Sequence, residues 1–325
     1  MENRIEIFVE LGRRLRHFGE DERSKRALQT AIAENEWFTQ TDILRAIDAI
    51  CEEYLDREKL IAWLKAYPQT VQSRNVAIIM AGNIPLVGFF DMMCALICGH
   101  KVFVKPSSKD RVLTDYIAEL LRDIHPAIPS YEYNESLTYD AIIATGGDEA
   151  ARHFRTRYAA IPTLIRGSRH SVAVLTGEEN ERELQGLQDD IFTYNGLGCR
   201  NVSLIFLPRG KQLELRAPKM NPMYHGNYLH CKAMRQMMGQ PFLDFGECIA
   251  VEDAGFSPNI SQINYCYYNE IEEVRDWLTQ NDNSLQCVVC REPLHPRAVA
   301  FGRAQYPTLT DYADGVDVMK FLTSI

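Results

Sequence analysis

Residues 75–108 read NVAIIMAGNIPLVGFFDMMCALICGHKVFVKPSS, and the fold is decided by how this stretch changes texture. A short run rich in β-branched residues ends at Gly82-Asn83-Ile84-Pro85, an apolar run of helical length follows, and KVFVKP gives a second short β-rich run. Strand, helix and strand at this spacing make one crossover unit of a parallel sheet. Toward the C-terminus the alternation continues through RVLTDYIAELLRDI, YDAIIATG, DEAARHFRTRY and TLIRG. A second block opens near SVAVLTG and runs through NVSLIFLP, NYLHCKAMRQMM, INYCYYN, EIEEVRDWLTQN and SLQCVVC, again alternating strand and helix. Toward the N-terminus, Leu11, Leu15 and Phe18 recur at helical spacing. DILRAIDAICEEYL and EKLIAWLKAY carry similar stripes, so the first seventy residues form a helical preface.

The densest loop signals between the blocks lie at Arg166-Gly167-Ser168-Arg169 and Thr176-Gly177, which sets a boundary near residue 168. The expected layout is residues 1–168 as helical preface plus dinucleotide-binding domain. Residues 169–325 then form a catalytic, cysteine-bearing α/β domain that ends in a strap, YPTLTDYADGVDVMKFLTSI. The 325 residues, 46% hydrophobic and 24% charged, suffice for about two domains of roughly 150 residues. A formal charge of −9 makes the chain-wide electrostatic case for nucleic acid or an anionic membrane as partner weak, while local basic patches stay open. No apolar run approaches the roughly 20 residues of a membrane span. The amino terminus, MENRIEIFVELGRRLRHFGEDE, is too often broken by charge for a secretory signal, so a cytoplasmic location is expected.

Nine cysteines without a repeating spacing point to reduced thiols rather than a disulfide framework. Cys287-Val-Val-Cys290 has the spacing of a redox or metal pair, but it sits in an apolar run and reads as a buried strand. Cys94 and Cys98 read as helix packing, and no metal site is expected. Three strands end in segments suited to a nucleotide: Gly82-Asn83-Ile84-Pro85, Lys105-Pro106-Ser107-Ser108, and Thr145-Gly146-Gly147-Asp148. The carboxyl ends of parallel strands form one rim, where ligands bind at a switch in strand order. A lysine beside two hydroxyls suits ribose or phosphate, and a glycine pair lets backbone amides approach a pyrophosphate. Each segment alone also reads as an ordinary strand-to-helix turn, and no Gly-x-Gly-x-x-Gly fingerprint is present. In Tyr194-Asn195-Gly196-Leu197-Gly198-Cys199-Arg200-Asn201 a cysteine follows two glycines and directly precedes a strand. A nucleophilic cysteine must be reachable, which such a turn provides, although the residues alone fit a structural cysteine equally.

GNIPL, VFVKPSS, ATGGDEAA, LIRGSRHSVAVL and NGLGCRN, in that order, resemble the aldehyde dehydrogenase superfamily, and in particular the fatty acyl-CoA reductases of bacterial luminescence operons. The resemblance covers roughly residues 70 to 325. It implies Cys199 as nucleophile, with the Asn83 side-chain amide and the Cys199 backbone N–H as oxyanion donors. It implies Lys105, with Ser107 and Ser108, at the adenosine ribose. Thr145, Gly146 and Gly147 would line the phosphate and nicotinamide side of the cofactor, and Gly167 would be a further cofactor-binding residue.

Three departures from the superfamily pattern carry information. Ile165 stands where hydrolytic members carry a water-activating glutamate, which favours thioester reduction over aldehyde oxidation. Ser108, with Lys109 beside it, replaces a glutamate that would meet the adenosine 2′ position, which favours NADPH while leaving NADH usable. Leu243-Asp244-Phe245-Gly246 resembles the Glu-x-Phe-Gly segment at the nicotinamide ribose, with leucine in place of the glutamate; Phe245 keeps its place for packing on the nicotinamide. The expected activity is NADPH-dependent reduction of an acyl-CoA thioester to an aldehyde through an acyl-cysteine. The expected partners are an acyl-CoA or related acyl thioester, an acyl-donor protein, or a second copy of the chain. A reductase of an acyl phosphate or other activated carboxylate shares the same intermediate, and a non-redox acyl-transfer protein would use the same cysteine without a cofactor.

Overall fold

The computed structural model describes residues 2–68 and 72–325, so positions 1, 69 and 70 of the helical preface fall outside the described residues. The chain divides into two compact units, one built from residues up to 168 together with 308–325, the other from residues 169–307. In the first unit the preface forms α1 (Glu2–Leu15), α2 (Glu22–Glu34), α3 (Gln40–Ala49) and α4 (Arg57–Leu64). Asp21, Thr39 and Asp56 start the last three by accepting hydrogen bonds from first-turn backbone N–H groups.

The parallel sheet follows: β1 (Asn75–Ile79), α5 (Phe89–Cys98), β2 (Lys101–Lys105), α6 (Arg111–Ile124), β3 (Ser130–Glu132), β4 (Ala141–Thr145), α7 (Asp148–Arg157) and β5 (Thr163–Arg166). The strand order is β3-β2-β1-β4-β5, with every pairing parallel. In β1, Val76 and Ile78 face the core made with the N-terminal helices, while Ala77 and Ile79 face a second core with Tyr139 and Ile142. Burial on both faces explains why this strand reads as a continuous apolar run. Strand order reverses between β1 and β4, which makes the carboxyl ends of those two strands the switch point of the sheet.

The second unit contains β6 (His170–Val174), α8 (Glu181–Phe192), β7 (Val202–Pro208), α9 (Pro222–Met237), β8 (Leu243–Asp244), β9 (Ile249–Glu252), β10 (Gln262–Tyr268), α10 (Ile271–Gln280), β11 (Leu285–Cys290) and β12 (Ala298–Val299). Its sheet runs β12-β11-β6-β7-β10-β9-β8 and is parallel except for the edge pair β8–β9. All six residues of β11 are buried, so Cys287 and Cys290 are strand packing residues. Among the described residues no cluster of three or more metal-ligating side chains occurs, and no helix is long and apolar enough to cross a membrane.

The C-terminal segment, expected to end the second domain, belongs to the first unit instead. Its helix α11 (Val318–Thr323) buries Val318, Met319 and Leu322 completely in the core that contains α5. The cause lies in α5: nine of its ten residues, all but Phe90, are buried, so it needs cover on its outer side as well as on the sheet. Polar contacts fix the tail in place. His100 Nε2 lies 2.9 Å from the Leu322 carbonyl oxygen, Trp63 Nε1 donates to the Tyr312 hydroxyl at 2.8 Å, and Tyr67 donates to Asp317 at 3.0 Å.

Candidate functional site

In the first unit, the sheet brings most of the sequence-predicted cofactor residues to one edge. Asn83 is half-buried in the bend after β1, and Lys105 ends β2 with Ser107 and Ser108 just beyond. Thr145 ends β4, Gly146 and Gly147 lead into α7, and Gly167 follows β5. The ladder hydrogen bonds continue into these turns, since Met80 N–H donates to the Lys105 carbonyl at 3.0 Å and Gly146 N–H to the Arg166 carbonyl at 3.2 Å. Gly147 has no heavy atom within 4 Å of where a Cβ would stand, so its backbone is open to a ligand. Gly167 is held by Asp148, whose Oδ1 accepts the Ser168 N–H at 2.8 Å and would lie 2.7 Å from a Cβ at Gly167. Lys105 Nζ lies 3.6 Å from Glu135 Oε1 and 5.3 Å from the centre of the Tyr133 ring. Arg157 shares that glutamate at 3.7 Å, which gathers two cations and one carboxylate at the β2 end of the rim.

Beneath the rim lies an ion pair that the sequence did not reveal. Arg166, on β5, holds Asp91 of α5 with two hydrogen bonds of 2.5 and 3.1 Å, and its Nη1 reaches Thr145 Oγ1 at 3.4 Å. Both partners are buried. Burial pulls the guanidinium pKa down, but the Asp91 charge and hydrogen bonds outweigh it and leave Arg166 above its ordinary value. Removing one partner of a buried pair strands the other charge, which typically costs about 3–5 kcal/mol.

Of the chain's nine cysteines, all among the described residues, Cys199 in the second unit is the exposed one. It lies in the turn that enters β7. Upstream, Tyr194, Asn195 and Gly196 have φ of 54°, 54° and 66°, three consecutive residues in the left-handed region. For Tyr194 and Asn195 that conformation costs roughly 1–2 kcal/mol each, and strain of this kind gathers at functional sites.

The strain is held by Asn201. Its Nδ2 donates to the carbonyls of Asp190, Ile191 and Thr193 at 3.2, 3.0 and 2.8 Å, and its Oδ1 accepts the Gly198 N–H at 2.8 Å. From β6, Ser171 Oγ donates to the Cys199 carbonyl at 2.9 Å, and it accepts the Cys287 N–H at 3.2 Å. Both ends of the cysteine turn are therefore fixed while Cys199 itself stays exposed. Phe245, the one cofactor residue expected in this unit, is half-buried just after the edge strand β8. Asp244 shapes that turn by accepting from Gly246 N–H at 3.0 Å and pairing with Lys232 at 2.7 Å.

Asn201, Ser171, Asp91 and Arg166 were missed in sequence because each acts through partners far along the chain or through backbone groups. The one local signal was the Asn that directly follows Cys199-Arg200.

Comparison with solved structures shows the same fold in aldehyde dehydrogenases. An aldehyde dehydrogenase from Physcomitrella patens is 11% identical with a TM-score of 0.70, covering 99% of this chain and 83% of that one. A NAD-dependent benzaldehyde dehydrogenase from Corynebacterium glutamicum is 13% identical with a TM-score of 0.64, covering 89% and 76%. A betaine aldehyde dehydrogenase from Staphylococcus aureus, solved with NAD+, is 13% identical with a TM-score of 0.63, covering 89% and 70%. In sequence, the long-chain acyl-protein thioester reductase of Aliivibrio fischeri is 25% identical over 48% of this chain, a match that spans about a third (35%) of that protein. The model of the acyl-CoA reductase family LuxC matches residues 23–218, more than half of the sequence, and the chain belongs to that family.

Proposed function

We propose that the chain reduces an acyl-CoA thioester to an aldehyde with NADPH, NADH serving as the poorer donor, and that Cys199 carries the acyl group between the two halves of the reaction. The observation that carries this reading is the Cys199 turn: a single exposed thiol on a strained backbone whose two ends are pinned by Asn201 and Ser171. An exposed, held cysteine suits a nucleophile, and of the other eight, seven are buried and Cys266 is half-buried, which removes most competitors.

The Cys199 thiolate attacks the thioester carbonyl, a Cys–acyl bond forms, and CoA leaves as its thiol after taking up a proton. Asn83 and the Cys199 backbone N–H hold the oxyanion of the tetrahedral species, and losing one such donor typically costs about 100- to 1,000-fold in rate. A nicotinamide cofactor held at the first unit's rim would supply the hydride for the acyl carbon. The resulting thiohemiacetal then collapses, releasing the aldehyde and returning Cys199 to its thiolate. Ile165, half-buried and apolar where hydrolytic relatives place a glutamate, activates no water, so the acyl group waits for the hydride.

A dinucleotide fits the first unit's rim because the switch point, the open backbone at Gly147 and the cations Lys105 and Arg157 share one edge. Asp148 and Glu149 open α7, so a phosphate there meets like charge at the helix terminus, and its contacts are assigned to the backbone of Gly146 and Gly147 and to Lys105. Ser107 and Ser108 are assigned to the adenosine ribose, Thr145 and Gly167 to the nicotinamide side, and Phe245 to the nicotinamide ring. The name of the Aliivibrio fischeri relative favours a second donor for the same chemistry, an acyl group carried as a protein thioester.

The test is intact-protein mass spectrometry after incubation with acyl-CoAs of several lengths and no reductant. One added acyl group on the wild-type chain, absent from Cys199→Ala and slowed about 100-fold or more in Asn83→Ala, is the expected result. An acylated Cys199→Ala chain overturns the assignment of the nucleophile.

A further inference from the structure

The loop that carries Asn83 rests on a buried acid. Asp110 stands at the N-terminal cap position of α6, where an aspartate ordinarily accepts the first backbone N–H groups of its own helix. Here its side chain makes no such cap. It turns to the neighbouring loop, and its Oδ2 accepts the Leu86 N–H at 2.7 Å. Asp110 is only 4% exposed, and its Oδ1 is buried without a hydrogen-bond partner. Burial, only partly offset by the Leu86 N–H, pushes its carboxyl up to about 8, so it is mostly the neutral acid near pH 7.

Two further features mark the contact as a clamp. Leu86 has φ of 55°, a left-handed conformation that is unfavourable for a residue with a side chain and persists only where its surroundings impose it. At the other end of the loop, Gly82 approaches so closely that a Cβ would lie 2.5 Å from Ser107 Cβ and 3.1 Å from Asp110 Cβ. The loop is thus held at Gly82 by contact and at Leu86 by a hydrogen bond, both against residues 107–110, and Asn83 lies between the two grips. Nothing in the acyl-transfer chemistry requires an acid at this place. A diverted cap, an unpaired buried oxygen and a strained leucine together are costly to maintain.

We propose that Asp110 is a positioning residue that, through Leu86, holds the Asn83 amide in the place where an oxyanion forms. This role rests on the reading of Asn83 and Cys199 given above. Because Asp110 acts only through Asn83, its loss should matter only while Asn83 is present.

The experiment measures two rates on the full chain: acylation of Cys199 by an acyl-CoA in a single turnover, and alkylation of the same thiol by iodoacetamide, which needs no oxyanion donor. Asp110→Ala should slow acylation about 10- to 100-fold, the scale of a misplaced catalytic group, with alkylation unchanged. Asp110→Asn keeps an acceptor for Leu86 and should stay within about 3-fold of wild type. In an Asn83→Ala background, Asp110→Ala should add less than about 2-fold, the non-additivity of two residues acting as one unit. Asp110→Leu fills the same space without an acceptor and provides the same comparison if the alanine variant does not fold.

Acylation within about 3-fold of wild type in the alanine and leucine variants overturns the proposal, as does a full additional loss in the Asn83→Ala background or an Asp110→Asn variant as slow as Asp110→Ala. If the wild-type chain is alkylated by iodoacetamide but never acylated, the proposed function fails and this role with it. If wild type and Asp110→Ala are acylated alike, only this role fails.

Discussion

Asn201 uses one side chain to end α8 and to begin the cysteine turn, since the three carbonyls it serves lie at residues 190–193 and the N–H it accepts belongs to Gly198. Asn201→Ala leaves those buried groups without their partner at roughly 1–3 kcal/mol apiece before relaxation, so a loss of at least about 2 kcal/mol is expected in denaturant unfolding. The same variant should slow iodoacetamide alkylation or acylation of Cys199 by about 10-fold or more, because the thiol loses its fixed presentation. Single positions differed in how far they could be read. The exposed turn at Cys199 was legible because a thiol between glycines and a strand is a local pattern, and the placement of Lys105, Gly146 and Gly147 at strand ends was legible for the same reason. Asn201 and Arg166 were not, since nothing adjacent in the chain tells an asparagine that feeds a helix end from any turn asparagine, or a buried arginine from a surface one.

Asp190 binds α8 to the loop at 302–304, accepting N–H groups of Gly302 at 2.7 Å and Ala304 at 2.9 Å while 1% exposed. Burial pushes its carboxyl up to about 7, the two backbone bonds offsetting part of the effect. The folded chain then keeps a proton that the unfolded chain, with its ordinary value of 3.8, releases. Stability from this group is full below about pH 4, falls as pH rises toward about 7 and is level beyond, with a slope of at most about 1.4 kcal/mol per pH unit. Asp190→Asn should flatten that part of a plot of unfolding free energy against pH, while costing stability throughout because its amide nitrogen faces an N–H donor. Elements whose burial is nearly uniform were the easiest to foresee: β1, β4 and β11 are buried along almost their whole length and carry mostly apolar residues. The tail was harder. Val318, Met319 and Leu322 are too few to announce their partner, which is fixed only by the outer surface that α5 leaves uncovered.

Across the whole chain, the second unit is an insertion between two pieces of the first. Leu322, fully buried in the first unit's core, is therefore a test of that connectivity. Leu322→Ala should cost about 2–5 kcal/mol in urea unfolding, as at any well-packed core leucine, whereas a tail lying loosely on the surface would lose less than about 0.5 kcal/mol. Because α5 waits for α11, the order of synthesis matters as much as the order of contacts. A ribosome adding about 5–20 residues per second needs on the order of ten seconds to make the intervening segment. For that interval the nascent first unit shows the side of α5 that α11 covers, Cys98 beside Met319 included, to whatever chaperone or neighbouring polypeptide is at hand.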